Sequence, residues 1–197
     1  MEQDIKPEEY IETLKLEAQR FLSTLSREDL YELKDYEFDE ELSVEWLQYG
    51  LFVDNLMNIK GLSMEDFART VSLAIVVEQL KAAGFFAASY NYIGIGEVPE
   101  HTDEDLCGNA IAIRAFIPIV DSEAYFTGYT IDPKTATADY VEDYKLNGQP
   151  IYFDPCLDHK LVQKSDNGHY IIADIVSSKA NEEDVIEYKK YAVATYS

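Results

Sequence analysis

The chain has 197 residues, 47% of them hydrophobic, and 38 acidic against 16 basic side chains give it a formal net charge of −22. This composition supports a normal core and argues against intrinsic disorder, and the negative charge excludes nucleic acid and anionic membranes as direct partners. Neither a signal peptide nor an apolar run that could span a bilayer is recognisable, and only two cysteines are present, so we expect a soluble cytoplasmic protein.

Helices are predicted in the first part of the chain. Residues 7–25 begin with a proline and two glutamates, and their apolar side chains recur at the spacing of one helical face. Capping patterns and apolar periodicity predict shorter helices over 26–34 and 43–49. The strongest helical pattern covers 63–83, where apolar residues surround most of the circumference and a glycine follows.

Strands are predicted after this helix. Segments rich in aromatic and β-branched residues are bounded by turn residues, which is typical of strands. They cover 85–95, 110–118, 124–131, 137–146, 151–153, 160–164 and 169–176. Asn147-Gly148 and the Ser-Asp-Asn-Gly run 165–168 predict hairpins between the strands beside them. Residues 181–196 are predicted to close the chain as a helix, although 191–196 also suit a strand.

The order of these elements predicts an α+β fold. Helices come first, then strands, then one helix, which favours an antiparallel meander of about five to seven strands with the helices packed on it. Residues 1–84 would be mainly helical, 85–176 mainly strands and 177–197 a closing helix. With no linker rich in Gly, Pro or Ser, the expected organisation is a single domain over 1–197.

Metal-binding patterns are weak in this sequence. His101, His159 and His169 are far apart along the chain and form no HExxH motif. Cys156 lies near His159, but a structural zinc site requires four ligands and Cys107 is remote in sequence. The sequence therefore predicts no metal site and no cofactor.

Catalytic motifs are equally weak. Gly94-Ile95-Gly96 lacks the third glycine and the following helix of a dinucleotide-binding turn. Cys107 and Cys156 each have a histidine within a few residues, but nearness in sequence is not the geometry of a nucleophile and its base. These absences lower the expectation of an enzyme, although active sites are assembled in space.

One acidic loop is a candidate ligand site. Residues 97–105 are predicted to connect two strands, and functional residues concentrate on long connections. Its candidate residues are Glu97, Glu100, His101, Asp103, Glu104 and Asp105. The alternative interpretation is a solvated acidic loop without a ligand.

An acidic run with interleaved aromatic side chains carries the leading functional hypothesis. It contains Asp35, Tyr36, Glu37, Asp39, Glu40 and Glu41. Acidic side chains would steer a basic protein and tyrosine would anchor it, as in an immunity protein against a toxin or an inhibitor that mimics nucleic acid. The alternatives are a small-molecule-binding module or enzyme with a pocket between the sheet and helix 63–83, an assembly protein, or a merely solvated surface.

Overall fold

The computed structural model describes residues 7–26, 31–33, 44–51, 75–76, 79–80, 85–103, 111–132, 137–176 and 183. Among them lie one long helix, α1 (Pro7–Leu22), and ten strands. The strands are β1 (Tyr31–Leu33), β2 (Trp46–Leu51), β3 (Phe85–Ile93), β4 (Gly96–His101), β5 (Ile111–Pro118), β6 (Ala124–Ile131), β7 (Ala138–Lys145), β8 (Ile151–Phe153), β9 (His159–Gln163) and β10 (Gly168–Val176).

The strands form two layers. Their hydrogen-bonded order is β1-β2-β3-β10-β5-β8-β6-β9-β4, with β7 beside β6, and all recorded pairs are antiparallel. A single residue pair, Thr130 and Phe153, joins β6 to β8, so β1-β2-β3-β10-β5-β8 forms one layer and β7-β6-β9-β4 the other. From β3 to β10 every connection except β6–β7 changes layer, and this winding is that of a jelly roll.

Two hydrophobic cores lie on opposite faces of the first layer. The outer core lies between α1 and β3, β10 and β5, and includes Leu14, Phe21, Tyr90, Ile117 and Ile171, all at most 1% exposed. Leu14, Ala18 and Phe21 reach it together because residues three and four apart share one helical face.

The inner core fills the space between the two layers. It contains a cluster of aromatic rings, and the ring centroids of Phe116, Phe126 and Phe153 lie 4.9 to 6.4 Å apart. Because side chains alternate along a strand, Phe116 faces the inner core while its neighbours Ala115 and Ile117 face the outer one. Burial on both faces explains why β5 is a nearly continuous apolar run.

The predicted fold class is wrong. Within the described residues the protein is mostly antiparallel sheet, wound as a jelly roll of two layers, whereas the sequence predicted helices packed on a meander of fewer strands. The predicted helix 26–34 contains β1, and the predicted helix 43–49 overlaps β2. Both strands add to the edge of the first layer, where β2 pairs with β3 over six residues, and this pairing overrides the local helical pattern.

The predicted hairpins are also replaced by other pairings. β7 pairs with β6, and β8 pairs with β5 and β6, although Asn147 and Gly148 have the positive φ values of a tight turn, 48° and 68°. β9 pairs with β4 and β6, whereas β10 pairs with β3 and β5. Both turns therefore carry the chain from one layer to the other.

Other predictions fall partly outside the described residues. The described residues of helix 63–83, which are 75, 76, 79 and 80, are helical, and so is Glu183 in the predicted closing helix. The predicted loop 97–105 is strand β4 up to His101. In the part of the chain that is described, no helix is long and apolar enough to cross a membrane.

Candidate metal centre

Two histidines meet where β4 ends and β9 begins. His101 is the last residue of β4, His159 is the first of β9, and the two are paired across the antiparallel ladder. Their ring centroids lie 4.4 Å apart. The register shifts between Val98 and His101, a stretch that contains Pro99, and this irregularity brings His101 opposite His159.

Asp103 completes the cluster from just beyond the end of β4. Its backbone N–H donates to the carbonyl of Pro155 at 2.8 Å, which fixes the segment against the turn before β9. Its Oδ1 lies 3.6 Å from Nε2 of His101, and its Oδ2 lies 3.5 Å from Nε2 of His159. The ligand atoms of the three side chains all lie within 4.8 Å of one another.

The other nitrogen of each imidazole bonds to a backbone carbonyl. Nδ1 of His101 lies 2.7 Å from the carbonyl of Pro99, and Nδ1 of His159 lies 2.8 Å from that of Leu157. A carbonyl oxygen only accepts, so each Nδ1 carries the proton. In the neutral ring this leaves the lone pair on Nε2, which faces Asp103 and can bind a metal.

A buried arginine supports the carboxylate. Arg114, on β5, donates from NH1 to Oδ2 of Asp103 at 2.7 Å. Its Nε and NH2 donate to the two oxygens of Asp174, on β10, at 2.8 and 3.2 Å. The side chains of Arg114 and Asp174 are only 11% and 6% exposed, and the two residues are paired across β5 and β10.

Asp103 is held in its charged form. Burial acts to raise the pKa of Asp103, but two other effects outweigh burial and hold the pKa below its usual value: the hydrogen bond that the His159 imidazole donates from Nε2 when the ring is protonated, and the positive charge of Arg114. A carboxylate ionised at neutral pH is what a cation needs as a ligand.

The cluster fits a single divalent cation. Two imidazoles and one carboxylate offer three donor atoms, and neighbouring donors around one ion at ordinary bond lengths stand about 3 Å apart. The two His–Asp separations are 3.5 and 3.6 Å, and every pair of ligand atoms lies within 4.8 Å, so side-chain movements of about 1–2 Å would bring the donors to this value. The rings of Phe153 and Phe126 pack against His159, with centroids 4.8 and 6.4 Å away, and close the inner side of the site.

The structure brings together two of the residues predicted as a ligand loop. His101 and Asp103 belong to the cluster, whereas Glu97 is partly buried in β4 and Glu100 is exposed, and neither is one of the three ligand residues. Glu104 and Asp105 lie outside the described residues, as do all those proposed to bind a basic partner. These are Asp35, Tyr36, Glu37, Asp39, Glu40 and Glu41.

Sequence reasoning missed the role of His159. It treated the histidines as separate because they are remote in sequence, but antiparallel pairing of β4 and β9 makes them neighbours. One local signal was available: His101 and Asp103 are two residues apart at a strand end, and side chains with that spacing can point to the same side.

Comparisons with known proteins give remote structural similarities only. No protein-family model matches the chain, and no curated protein matches it. Among solved structures, AviO1 from Streptomyces viridochromogenes is 13% identical, with 90% of this chain and 88% of that one covered, at a TM-score of 0.46. A prolyl hydroxylase from Trichoplax adhaerens, solved with a hypoxia-inducible-factor peptide, is 8% identical, with 89% and 81% covered and a TM-score of 0.46.

A third similar structure is an oxidoreductase of the 2OG-Fe(II) oxygenase family from Burkholderia pseudomallei. It is 10% identical, with 91% of this chain and 96% of that chain covered, at a TM-score of 0.41. At this level of similarity, function has to be inferred from the residues of the site itself.

The interpretation as a non-catalytic acidic inhibitor is wrong. It assumed that the chain lacks a candidate site for chemistry, but His101, Asp103 and His159 form a cluster that could hold a metal ion, with fixed imidazole orientations and a buried supporting arginine. A basic toxin or nucleic-acid-binding protein is no longer the expected partner. The alternative hypothesis, an enzyme or small-molecule-binding module, agrees better with this site.

Proposed function

We propose that His101, Asp103 and His159 bind Fe(II) and that the protein is a non-haem iron oxygenase. The observation that carries this proposal is the donor set: two histidines and one carboxylate are the ligands of the facial triad of such enzymes. The bound iron would supply the redox chemistry that activates dioxygen.

The residues around the ligands prepare the site for the ion. The carbonyls of Pro99 and Leu157 hold the two imidazoles with Nε2 toward Asp103. Arg114 holds the carboxylate in place, and its positive charge favours the ionised form. The Phe126 and Phe153 rings pack against His159, whereas the side chains of His101 and Asp103 are partly exposed, so a ligand would approach from the side of these two residues.

A co-substrate can be tested before the substrate is known. 2-Oxoglutarate is bound in one similar structure, a ribosomal oxygenase from Escherichia coli in complex with cobalt and 2-oxoglutarate. It is the first co-substrate to test, because its turnover can be followed without knowing the substrate. The predicted cytoplasmic location remains part of this proposal, and it rests on the low cysteine content.

The test is metal binding followed by turnover. We expect the purified protein to bind one Fe(II), or one Co(II) as a spectroscopic substitute, in anaerobic titration. His159→Ala and Asp103→Ala should each weaken binding by more than about 100-fold, because even supporting partners of metal ligands are worth 10–100-fold. Glu100→Gln is the matched control: it removes an exposed carboxylate beside His101 and should leave the dissociation constant unchanged.

Turnover then distinguishes an oxygenase from another metal protein. Oxygen consumption with 2-oxoglutarate that disappears in His159→Ala would support the proposal. Binding of zinc with no binding of Fe(II) or Co(II) would contradict it, since zinc also uses two histidines and a carboxylate in hydrolytic sites. Equal metal binding by the wild type and both ligand variants would exclude this cluster as the metal site.

A further inference from the structure

A buried ion pair stands directly behind the proposed metal ligand. Arg114 and Asp174 come from neighbouring strands of the first layer, whereas Asp103 follows the edge strand β4 of the second layer. The guanidinium bonds to both carboxylates at once, with N···O distances of 2.7 to 3.2 Å. Arg114 therefore connects Asp103, which follows an edge strand, to strands at the centre of the opposite layer.

The balance of charge explains why Asp174 accompanies Arg114. A guanidinium alone would hold Asp103 well, but its full positive charge would repel a divalent cation at the same carboxylate. Asp174 faces Arg114 with both oxygens and compensates that charge, so the pair is neutral and still donates an N–H to Asp103. The cluster can then accept a dication without an uncompensated cation beside it.

The position of the pair in the strands makes the support rigid. Arg114 and Phe116 alternate with Ala115 along β5, and Asp174 and Ile172 alternate with Ala173 along β10, so the ion pair shares the inner face with the inner core. Buried arginine and aspartate are costly unless paired, and an apolar pair of the same size would serve stability as well or better. A role in the site accounts for charges at this place.

We infer that Arg114 and Asp174 are positioning residues that hold Asp103 for the metal and set the charge beside it. The inference rests on the proposed metal centre and adds two residues that do not themselves bind the ion. It predicts separate effects on metal affinity and on stability, because the first depends on the charges and the second mainly on packing.

The experiment compares Co(II) binding and thermal stability in variants of the full chain. Asp174→Asn should weaken Co(II) binding by 10–100-fold, as expected for a supporting partner, because Asp174 no longer offsets the positive charge of Arg114 beside the ion. Arg114→Lys keeps the charge but loses the planar fork, so it should recover only part of the affinity that Arg114→Gln loses. The Co(II) absorption spectrum should change in each variant, since the orientation of Asp103 changes.

A double variant keeps the test valid if single variants fold poorly. Arg114→Met with Asp174→Leu removes both charges and fills their volume, so its melting temperature should equal or exceed that of the single variants. Its Co(II) affinity should nevertheless remain 10–100-fold below the wild type. Glu17→Gln is the control, because it changes a buried carboxylate paired with Arg20 on α1 and should leave Co(II) binding unchanged.

Each outcome decides the inference. Weaker binding and an altered spectrum in the folded double variant support it. A folded double variant with wild-type affinity and spectrum overturns it and leaves the metal centre intact. A wild-type protein that binds neither Co(II) nor Fe(II) overturns the metal centre and this role together.

Discussion

The outer and inner cores share strands β3, β5 and β10 but differ in chemistry. On these strands the outer core takes aliphatic side chains and aromatic rings, such as Tyr90, Ile117 and Ile171. On the inner face these strands contribute the apolar residues Phe116 and Ile172 and, in addition, the charged pair Arg114 and Asp174. Apolar packing therefore stabilises both faces, while the charges gather on one face at one end of the jelly roll. From this comparison we expect stability in the outer core to be separable from the chemistry of the site.

The largest expected effect comes from the outer core. Phe21→Ala removes a ring that is 1% exposed and packs edge-on against Tyr90, so it should lower the free energy of unfolding by about 3–5 kcal/mol. Urea denaturation measures this loss. Leu16→Ala, at a half-exposed position on the same helix, should change the free energy of unfolding by less than about 0.5 kcal/mol. If Phe21→Ala also weakens Co(II) binding while the protein remains folded, the two cores are not separable.

A smaller effect is expected where the backbone touches the site. Gly128 has a φ of 150°, and a Cβ there would stand 3.0 Å from Cβ of His159 and 3.1 Å from the carbonyl of Asp158. Gly128→Ala should cost about 1–3 kcal/mol of stability through strain, and it should weaken Co(II) binding by displacing His159. Gly94→Ala is the control, because its nearest neighbour is Glu45 and not the site. Unchanged Co(II) affinity in Gly128→Ala would show that His159 is not held at this contact.

The smallest expected effect is a change in the pH dependence of stability, caused by a histidine at the edge of the outer core. His169 lies 2.8 Å from the hydroxyl of Tyr90, and burial lowers the pKa of His169 although Asp166 acts in the opposite direction. A lowered folded-state pKa means that the unfolded state binds the proton more readily, so this contribution to stability is present above about pH 6.5 and is lost as the pH falls. His169→Gln should flatten the decline in melting temperature between neutral and mildly acidic pH. A decline as steep as that of the wild type would show that another group is responsible.

The sequence predicted individual strands better than their partners. β5, β6 and β10 begin and end within two residues of the predicted segments, because an apolar run bounded by turn residues is a local signal. β1 and β2 were missed because their extended structure depends on pairing, of β2 with β3 and of β1 with β2, which no local pattern encodes. The jelly roll was missed for the same reason: tight turns that look like hairpins connect strands in different layers.

The site was only partly predictable for a related reason. His101 and Asp103 are close in sequence and were candidates, but His159 reaches them only through the β4–β9 ladder. Arg114 and Asp174 carried a usable signal, since a charge within a run of buried residues requires a partner. The charge of one strand pointed to the other, although the register that joins them appears only in the folded chain.

The position of β4 at the edge of the sheet would connect local opening of this strand to release of the proposed metal. β4 is the last strand in the hydrogen-bonded order and, among the described residues, is held by β9 alone. An ion bound by His101 and His159 would link β4 to β9 and would stabilise the outermost strand against local unfolding. Ion release would then require β4 to separate from β9. The dissociation rate of the ion and the rate of local opening of the sheet would therefore report the same motion.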